Sequence, residues 1–180
     1  YDGTAYRGWQ VQNNARTIEG ELNKALQELT GEEIQVIGAS RTDAGVHGLC
    51  NVAVFDTLSR IPGEKFSYAL NQRLPEDIRV RESGEVPCDF HPRRCKSRKT
   101  YEYHIFNSAF PNPVRRLYSH FTYVPLDIEK MRQAAGYFPG EQDFASFCST
   151  GSQVETTVRT IYELEVEKEG EEIVIRVTGS

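Results

Sequence analysis

The chain has 180 residues, of which 38% are hydrophobic and 26% are charged, and its formal net charge is −5 at pH 7. This length and mixture are typical of one sizeable globular domain or two small lobes, and they argue against general disorder. No apolar run reaches the roughly 20 residues that cross a bilayer, and no secretory leader is recognisable, so a cytoplasmic protein without a membrane partner is expected. The four cysteines are widely and irregularly spaced without a Cys-x-x-Cys pair, which argues against a zinc site and predicts free, mostly buried thiols.

The first half of the chain predicts alternating helices and strands. Apolar residues recur at helical spacing between Ile18 and Leu29, where Thr17 is positioned to cap the start and Gly31 to end the helix. Further along, the pattern predicts strands at 34–39 and 51–55, a helix at 66–74 that is stopped by Pro75, and a strand at 78–81.

Turn residues from Gly84 to Pro87 predict a boundary between an N-terminal α+β lobe, residues 1–84, and a C-terminal α+β lobe, residues 85–180. The second lobe is predicted to contain a strand at 100–106, a helix at 128–138 capped by Asp127, and a closing hairpin of 162–166 and 173–177 around Gly170. These elements predict an α+β fold with a mostly antiparallel sheet and helices on one face. The other face is expected to line a cleft, as in several RNA-binding sheet folds.

The loop at residues 40–48 combines two glycines with four chemically useful side chains. Arg41, Thr42, Asp43 and His47 bring a guanidinium, a hydroxyl, a carboxylate and an imidazole into a tight segment that follows a predicted strand. A carboxylate at such a junction is well placed to act as nucleophile or base, and Arg41 would point to the same side in extended backbone. The alternative is an Asx turn in which Asp43 bonds nearby backbone and Arg41 is a surface partner.

The segment Arg41-Thr42-Asp43-Ala44-Gly45-Val46-His47 resembles the signature loop of the tRNA pseudouridine synthase A family, in which the aspartate is essential. Four other stretches resemble further family segments, in the family's order: YDGTAYRGWQ at 1–10, LN and LPEDI within 70–78, DFHPR and KTYEY within 89–103, and GEQDFASF at 140–147. The similarity extends over essentially the whole chain, which is therefore identified as a member of this family.

The resemblance implies a two-lobed pseudouridine synthase fold with an RNA-binding cleft. It implies an enzyme that isomerises uridine to pseudouridine in tRNA, in the anticodon stem-loop, as a homodimer and without a cofactor or catalytic metal. Asp43 would be the attacking or charge-stabilising carboxylate, Tyr101 would stack on the flipped uracil, and Arg41 would assist flipping. For His47 two interpretations remain open, a contact with RNA or a brace for the loop.

A basic run precedes the strand that carries Tyr101 and Tyr103. It contains five cations and no anion: Arg93, Arg94, Lys96, Arg98 and Lys99. Such a run is commonly a solvated surface, but with the resemblance it predicts a contact with the RNA backbone. Arg115 and Arg116 are expected to extend that surface.

The sequence departs from the family pattern at its ends. It begins at Tyr1 without methionine, and the family segment Phe-Leu-x-x-x-Met-Val-Arg does not follow before Ser180, so truncation with loss of the C-terminal part is expected. The hypothesis is that the 180-residue chain alone is inactive or much impaired. A non-catalytic RNA-binding fragment is the alternative function, and a nucleosidase, which would need a second acidic residue near Asp43, is a third.

Overall fold

A computed structural model describes residues 1–148 and 156–180 of the chain. These residues form two compact units, Tyr1–Cys95 and Lys96–Ser180. The boundary predicted after residue 84 thus falls within the first unit. The physical reason is that the following residues still pack on that unit: an added Cβ at Gly63 would lie 2.9 Å from Glu85, and Arg93 Nε donates to the Gly38 carbonyl at 2.8 Å.

The described residues contain the following helices and strands in chain order: α1 (Ile18–Thr30), β1 (Ile37–Gly38), β2 (Ala53–Val54), α2 (Phe66–Asn71), β3 (Lys99–Asn107), β4 (His120–Thr122), α3 (Ile128–Ala135), β5 (Gly140–Asp143), β6 (Val158–Glu169) and β7 (Glu172–Gly179). The α+β class is confirmed. In the part of the chain that the structure describes, no helix combines the length and the apolar character needed to span a membrane.

The first unit is built around α1, which begins and ends as predicted. The Thr17 side chain accepts a hydrogen bond from the Gly20 N–H, and Gly31 ends the helix in the left-handed region at φ 75°. The buried face of α1 joins a core that includes Trp9, which is 3% exposed. The strands β1 and β2 pair antiparallel but have two residues each, shorter than predicted.

The predicted strand at 78–81 is wrong, and a side chain is the reason. Asn71 Nδ2 donates to the Val80 carbonyl at 2.8 Å, and Asn71 Oδ1 accepts from the Val80 N–H at 2.8 Å. A side-chain amide therefore satisfies the backbone groups that a neighbouring strand would otherwise bind. The predicted burial of the cysteines is also wrong, because all four are free and exposed.

The second unit is a five-stranded sheet in the order β4-β3-β7-β6-β5. The predicted closing hairpin is confirmed as β6 and β7, with Gly170 in the left-handed region at φ 60°. The sheet is mixed, because the edge strand β4 runs parallel to β3 while the other three pairs are antiparallel. The helix α3 begins at its predicted cap, where Asp127 accepts from the Lys130 N–H at 3.1 Å, but it ends at Ala135.

The two faces of this sheet differ in character. Ile105, Val166 and Ile173 form a buried cluster with Ala135 of α3, so α3 covers the apolar face. On the other face, carboxylates lie among cations. The hydrogen bond from Arg176 lowers the pKa of Glu102, and that from His104 lowers the pKa of Glu172. This polar face also carries Glu163, Glu165 and Glu167 of β6 beside β7.

Candidate active site

The loop of residues 40–48 leaves β1 and closes in a tight turn. The Val46 N–H donates to the Asp43 carbonyl at 3.2 Å, and Gly45, the third residue of this turn, has φ 81°. A turn with positive φ at its third position favours glycine, because side chains clash there. The turn exposes the Asp43 side chain, together with that of Arg41.

The N-terminal segment holds the loop in place by backbone hydrogen bonds. The Trp9 N–H donates to the Thr42 carbonyl at 3.0 Å, and the Gly45 N–H donates to the Tyr6 carbonyl at 3.2 Å. The hydroxyls of Tyr1 and Thr42 lie 2.9 Å apart in a further hydrogen bond. The residues on both sides of Asp43 are therefore fixed, while its carboxylate points outward.

Two glycines permit this close approach. A Cβ at Gly8 would lie 2.4 Å from the Thr42 carbonyl oxygen, and a Cβ at Gly3 would lie 2.0 Å from the Val46 carbonyl oxygen. Neither distance is possible between non-bonded heavy atoms, so only glycine fits without a backbone shift. The opening segment and the loop thus depend on each other physically, although more than 30 residues separate them in the sequence.

The family-like stretch LPEDI contacts the N-terminal segment that holds the loop. The hydroxyl of Tyr6 donates a short hydrogen bond to Asp77 Oδ1, and the Asp2 N–H donates to the Asp77 carbonyl at 2.8 Å. Arg16 lies over the Tyr6 ring, with its guanidinium carbon 4.6 Å from the ring centroid. Three separate motifs therefore converge on the backbone that presents Asp43.

Replacing Tyr6 by phenylalanine is expected to lower the free energy of unfolding by about 1 to 2 kcal/mol at pH 7, because a nearly buried hydrogen bond to a carboxylate is lost. Burial raises the pKa of Tyr6 above its ordinary value, and the hydrogen bond to Asp77 raises it further. A raised folded-state pKa gives a contribution that is complete below the ordinary tyrosine pKa of about 10 and is lost as the pH rises above it. Urea unfolding from pH 7 to pH 11 should show the difference between the two proteins shrinking, and a constant difference would contradict this.

An open pocket of about 270 Å³ surrounds the carboxylate. It brings together Asp43 and Arg41, as predicted from their spacing, and adds residues that sequence reasoning did not single out. The lining residues are Arg7, Gln10, Gln12, Arg41, Thr42, Asp43 and Ala44. Gln12 Nε2 donates to the Arg7 carbonyl at 2.8 Å, which fixes that wall. Arg7 and Gln10 lie within the family-like opening segment, and this was the one feature of the sequence that could have indicated them as residues of the pocket.

The charges of the pocket are one carboxylate and two guanidinium groups. Among the described residues, neither Asp43 nor Arg41 has an ion-pair partner within 4.0 Å. An outward carboxylate without such a partner is accessible to an incoming ligand, and the two arginines favour an anionic one. The described residues contain no group of three or more metal-ligating side chains.

His47 faces the N-terminal turn. Its Nδ1 atom lies 3.0 Å from Asp2 Oδ1 and 3.1 Å from the Gly3 nitrogen. One tautomer cannot serve both contacts, since a protonated Nδ1 donates to Asp2 and an unprotonated one accepts from Gly3. Either tautomer ties the end of the loop to the N-terminal segment, which favours the bracing interpretation.

The two tyrosines of β3 belong to the second unit. Tyr101 and Tyr103 are 56% and 55% exposed, and they alternate with the polar residues of the strand. Because Ile105 follows at the same spacing, the tyrosines lie on the face that α3 covers, beyond the part that it shields. Both rings are thus available to a ligand, and exposure alone does not separate them.

The basic run divides into anchored and unanchored cations. Arg93 donates to the Gly38 carbonyl, and the Arg98 guanidinium lies 4.4 Å from the centroid of the Tyr162 ring. Arg94, Lys96 and Lys99 are exposed and have no ion-pair partner among the described residues. The run therefore presents at the surface two positive groups held by contacts and three without an ion-pair partner among the described residues.

Comparisons with known proteins place this chain among RNA-modifying enzymes. The sequence model of a family described as tRNA pseudouridine synthase matches residues 1–93 and 134–180. The tRNA pseudouridine synthase A of Acetivibrio thermocellus is 48% identical over 179 residues, which cover 99% of this chain and 73% of that protein. The proteins of the same name from Ruminiclostridium cellulolyticum and Caldicellulosiruptor bescii are 49% and 44% identical, over 100% of this chain and 74% of each relative.

Proposed function

The chain belongs to the tRNA pseudouridine synthase family, and from this membership we propose that it isomerises uridine to pseudouridine in tRNA, with Asp43 as the catalytic carboxylate. The observation that carries the proposal is the position of Asp43. Its carboxylate points outward into a pocket beside Arg41, on backbone that three motifs hold in place.

The reaction breaks the bond between N1 of uracil and C1′ of the ribose and forms a bond between C5 and C1′. C5 gives up its proton and N1 takes up one, so the product is an isomer of uridine and no atom is added or lost overall. Asp43 acts as the nucleophile and forms a transient bond to the nucleotide, which breaks again and frees the carboxylate before the product leaves. The RNA itself closes the open pocket, because a bound nucleotide displaces water from the carboxylate.

The target uridine must leave its stack before a side chain can reach its ring or its sugar. Arg41 lies in the same pocket as Asp43, and we assign it to hold the nucleotide in the flipped position, where its guanidinium satisfies a phosphate or fills the vacated place. His47 contributes by bracing the loop through its contacts with the N-terminal segment.

Tyr101 is assigned to stack on the flipped uracil and to use its hydroxyl in handling the C5 proton. Replacing Tyr101 by phenylalanine keeps the stack and removes the hydroxyl, so turnover is expected to fall about 100-fold while the Kd for tRNA stays within about threefold. Tyr103→Phe is the matched control, since its ring is equally exposed on the same strand. An equal loss in both variants would refute the assignment of Tyr101.

The remaining assignments concern the RNA and the assembly. Arg93, Arg94, Lys96, Arg98 and Lys99 bind the RNA backbone and make the affinity salt-dependent. The anticodon stem-loop is the region modified, the working form is a homodimer, and the protein acts in the cytoplasm. These assignments rest on the family resemblance together with the exposed cations of the basic run.

The experiment that tests the function is release of tritium from tRNA labelled at uridine C5. A protein of the relatives' length that contains this chain is expected to release tritium with several turnovers, because the C5 proton must leave. The 180-residue chain is assayed beside it, which tests the hypothesis that it alone is inactive or much impaired. Binding of tRNA without release by either protein would favour the non-catalytic alternative.

A further inference from the structure

A second pocket lies in the second unit, at the edge strand of the sheet. It has a volume of about 290 Å³ and is lined by Phe106, Pro111, Asn112, Arg115, Arg116, Ser119, His120 and Phe121. Phe106 of β3 and Phe121 of β4 are register partners, so their side chains project from the same face of the sheet. This volume is near the lower limit of about 300 Å³ for small-molecule sites, which suits a ligand of one nucleotide or less.

The turn before β4 holds two arginines at this pocket. Arg115 forms an ion pair with Glu172, which fixes the position of its guanidinium. Arg116 donates to the Pro113 carbonyl at 2.9 Å, and no carboxylate of the described residues lies within 4.0 Å of it. The Ser119 hydroxyl donates to the Arg115 carbonyl at 3.0 Å, which helps to hold the turn. The positive charge of Arg116 is therefore both positioned and uncompensated.

The carboxylates on the rest of the polar face would keep an anionic ligand at this edge of the sheet. Glu102, Glu165 and Glu167 lie farther across the sheet around Arg176, and such carboxylates repel phosphate. Among the described residues, the β4 edge is where a guanidinium without a carboxylate partner, that of Arg116, lies with apolar rings in one pocket. This combination of a phosphate-binding arginine and an aromatic surface is the one by which proteins hold unpaired nucleotides.

We propose that this pocket binds one unpaired nucleotide of the RNA substrate, with its phosphate on Arg116 and its base against Phe121. The inference rests on the proposed function for the identity of the ligand, because the same chemistry would also suit a free nucleotide. The pocket is lined entirely by residues of the second unit and shares no lining residue with the pocket of Asp43. Its role is to position the RNA.

The test measures equilibrium binding of fluorescently labelled tRNA transcript at several salt concentrations, which requires no turnover. Arg116→Gln is expected to weaken binding about tenfold and to reduce the slope of log K against log salt by about 0.7 to 0.9. Phe121→Leu, which keeps an apolar side chain, is expected to weaken binding about fivefold. Arg73→Gln is the matched control, because Arg73 is an exposed arginine that likewise donates to a backbone carbonyl, that of Ala69.

The outcomes separate this inference from the proposed function. Weaker tRNA binding in both pocket variants, with an unaffected control, supports the pocket even if no tritium is released by any protein. Unchanged tRNA affinity and salt slope in both variants would overturn the inference, even in a fully active enzyme. A parallel titration with UMP covers the free nucleotide, and loss of UMP binding without loss of tRNA binding would also overturn it.

Discussion

Replacing Asp43 by alanine is expected to reduce tritium release from C5-labelled tRNA by at least about a thousandfold, because the reaction loses its nucleophile. The Kd for tRNA should change by less than about threefold, since phosphate contacts supply most of the affinity. Because the Asp43 side chain is exposed, the substitution should leave the free energy of unfolding within about 0.5 kcal/mol of the parental value.

Asp56→Ala is the matched control for this variant. Asp56 is another exposed aspartate of the first unit, outside both pockets, and its loss removes the same charge. The control is expected to retain the parental rate. A rate within tenfold of the parent in the Asp43→Ala protein would contradict the assignment of Asp43, whatever the control shows.

Replacing Gly8 by alanine is expected to destabilise the first unit by about 2 to 4 kcal/mol and to lower turnover about 100-fold. The backbone of Gly8 has φ 89°, which strains any residue with a Cβ, and that Cβ would meet the Thr42 carbonyl oxygen at 2.4 Å. The clash can be relieved only if the backbone of Thr42 moves away from residue 8, and Thr42 directly precedes Asp43. Urea unfolding and tritium release measure the two effects.

Gly31→Ala is the control that separates the effect of backbone strain from the effect of the steric clash with Thr42. Gly31 also has positive φ, 75°, but no atom lies within 4 Å of an added Cβ. This control should lose about 1 to 2 kcal/mol of stability and keep its rate, because it ends α1 away from the pocket. Equal effects of the two substitutions on turnover would show that the contact between Gly8 and Thr42 does not position Asp43.

Local sequence patterns were sufficient to predict the ends of a helix and the position of a hairpin turn, because these features depend on residues close together in the chain. The caps of α1 at Thr17 and Gly31 and the hairpin turn at Gly170 were predicted from residue type, and the structure has them there. The strand predicted at 78–81 failed because alternation does not reveal whether a partner strand exists. The side-chain amide of Asn71 instead binds the backbone N–H and carbonyl of Val80, and the alternation of apolar residues gives no sign of this contact.

Long-range pairings account for the other differences. The edge strand β4 has three residues and pairs in parallel with β3, so its identity depends on a neighbour and not on its own pattern. The pocket that contains Arg116 and Phe121 is not predictable unless β4 is identified, although the sequence alone indicates Arg116 as part of a basic surface. The loop of Asp43 was recognisable from its residues, but its dependence on Gly3 and Gly8 required the three-dimensional contacts.

Nucleoside analysis of the product tests the central claim most directly. Unmodified tRNA is incubated with a protein of the relatives' length that contains this chain, then digested to nucleosides and separated by liquid chromatography with mass detection. The account predicts a new nucleoside with the mass of uridine and the retention of pseudouridine, no free uracil, and no product with the Asp43→Ala variant. Free uracil, or unchanged uridine under conditions where tRNA is bound, would contradict it.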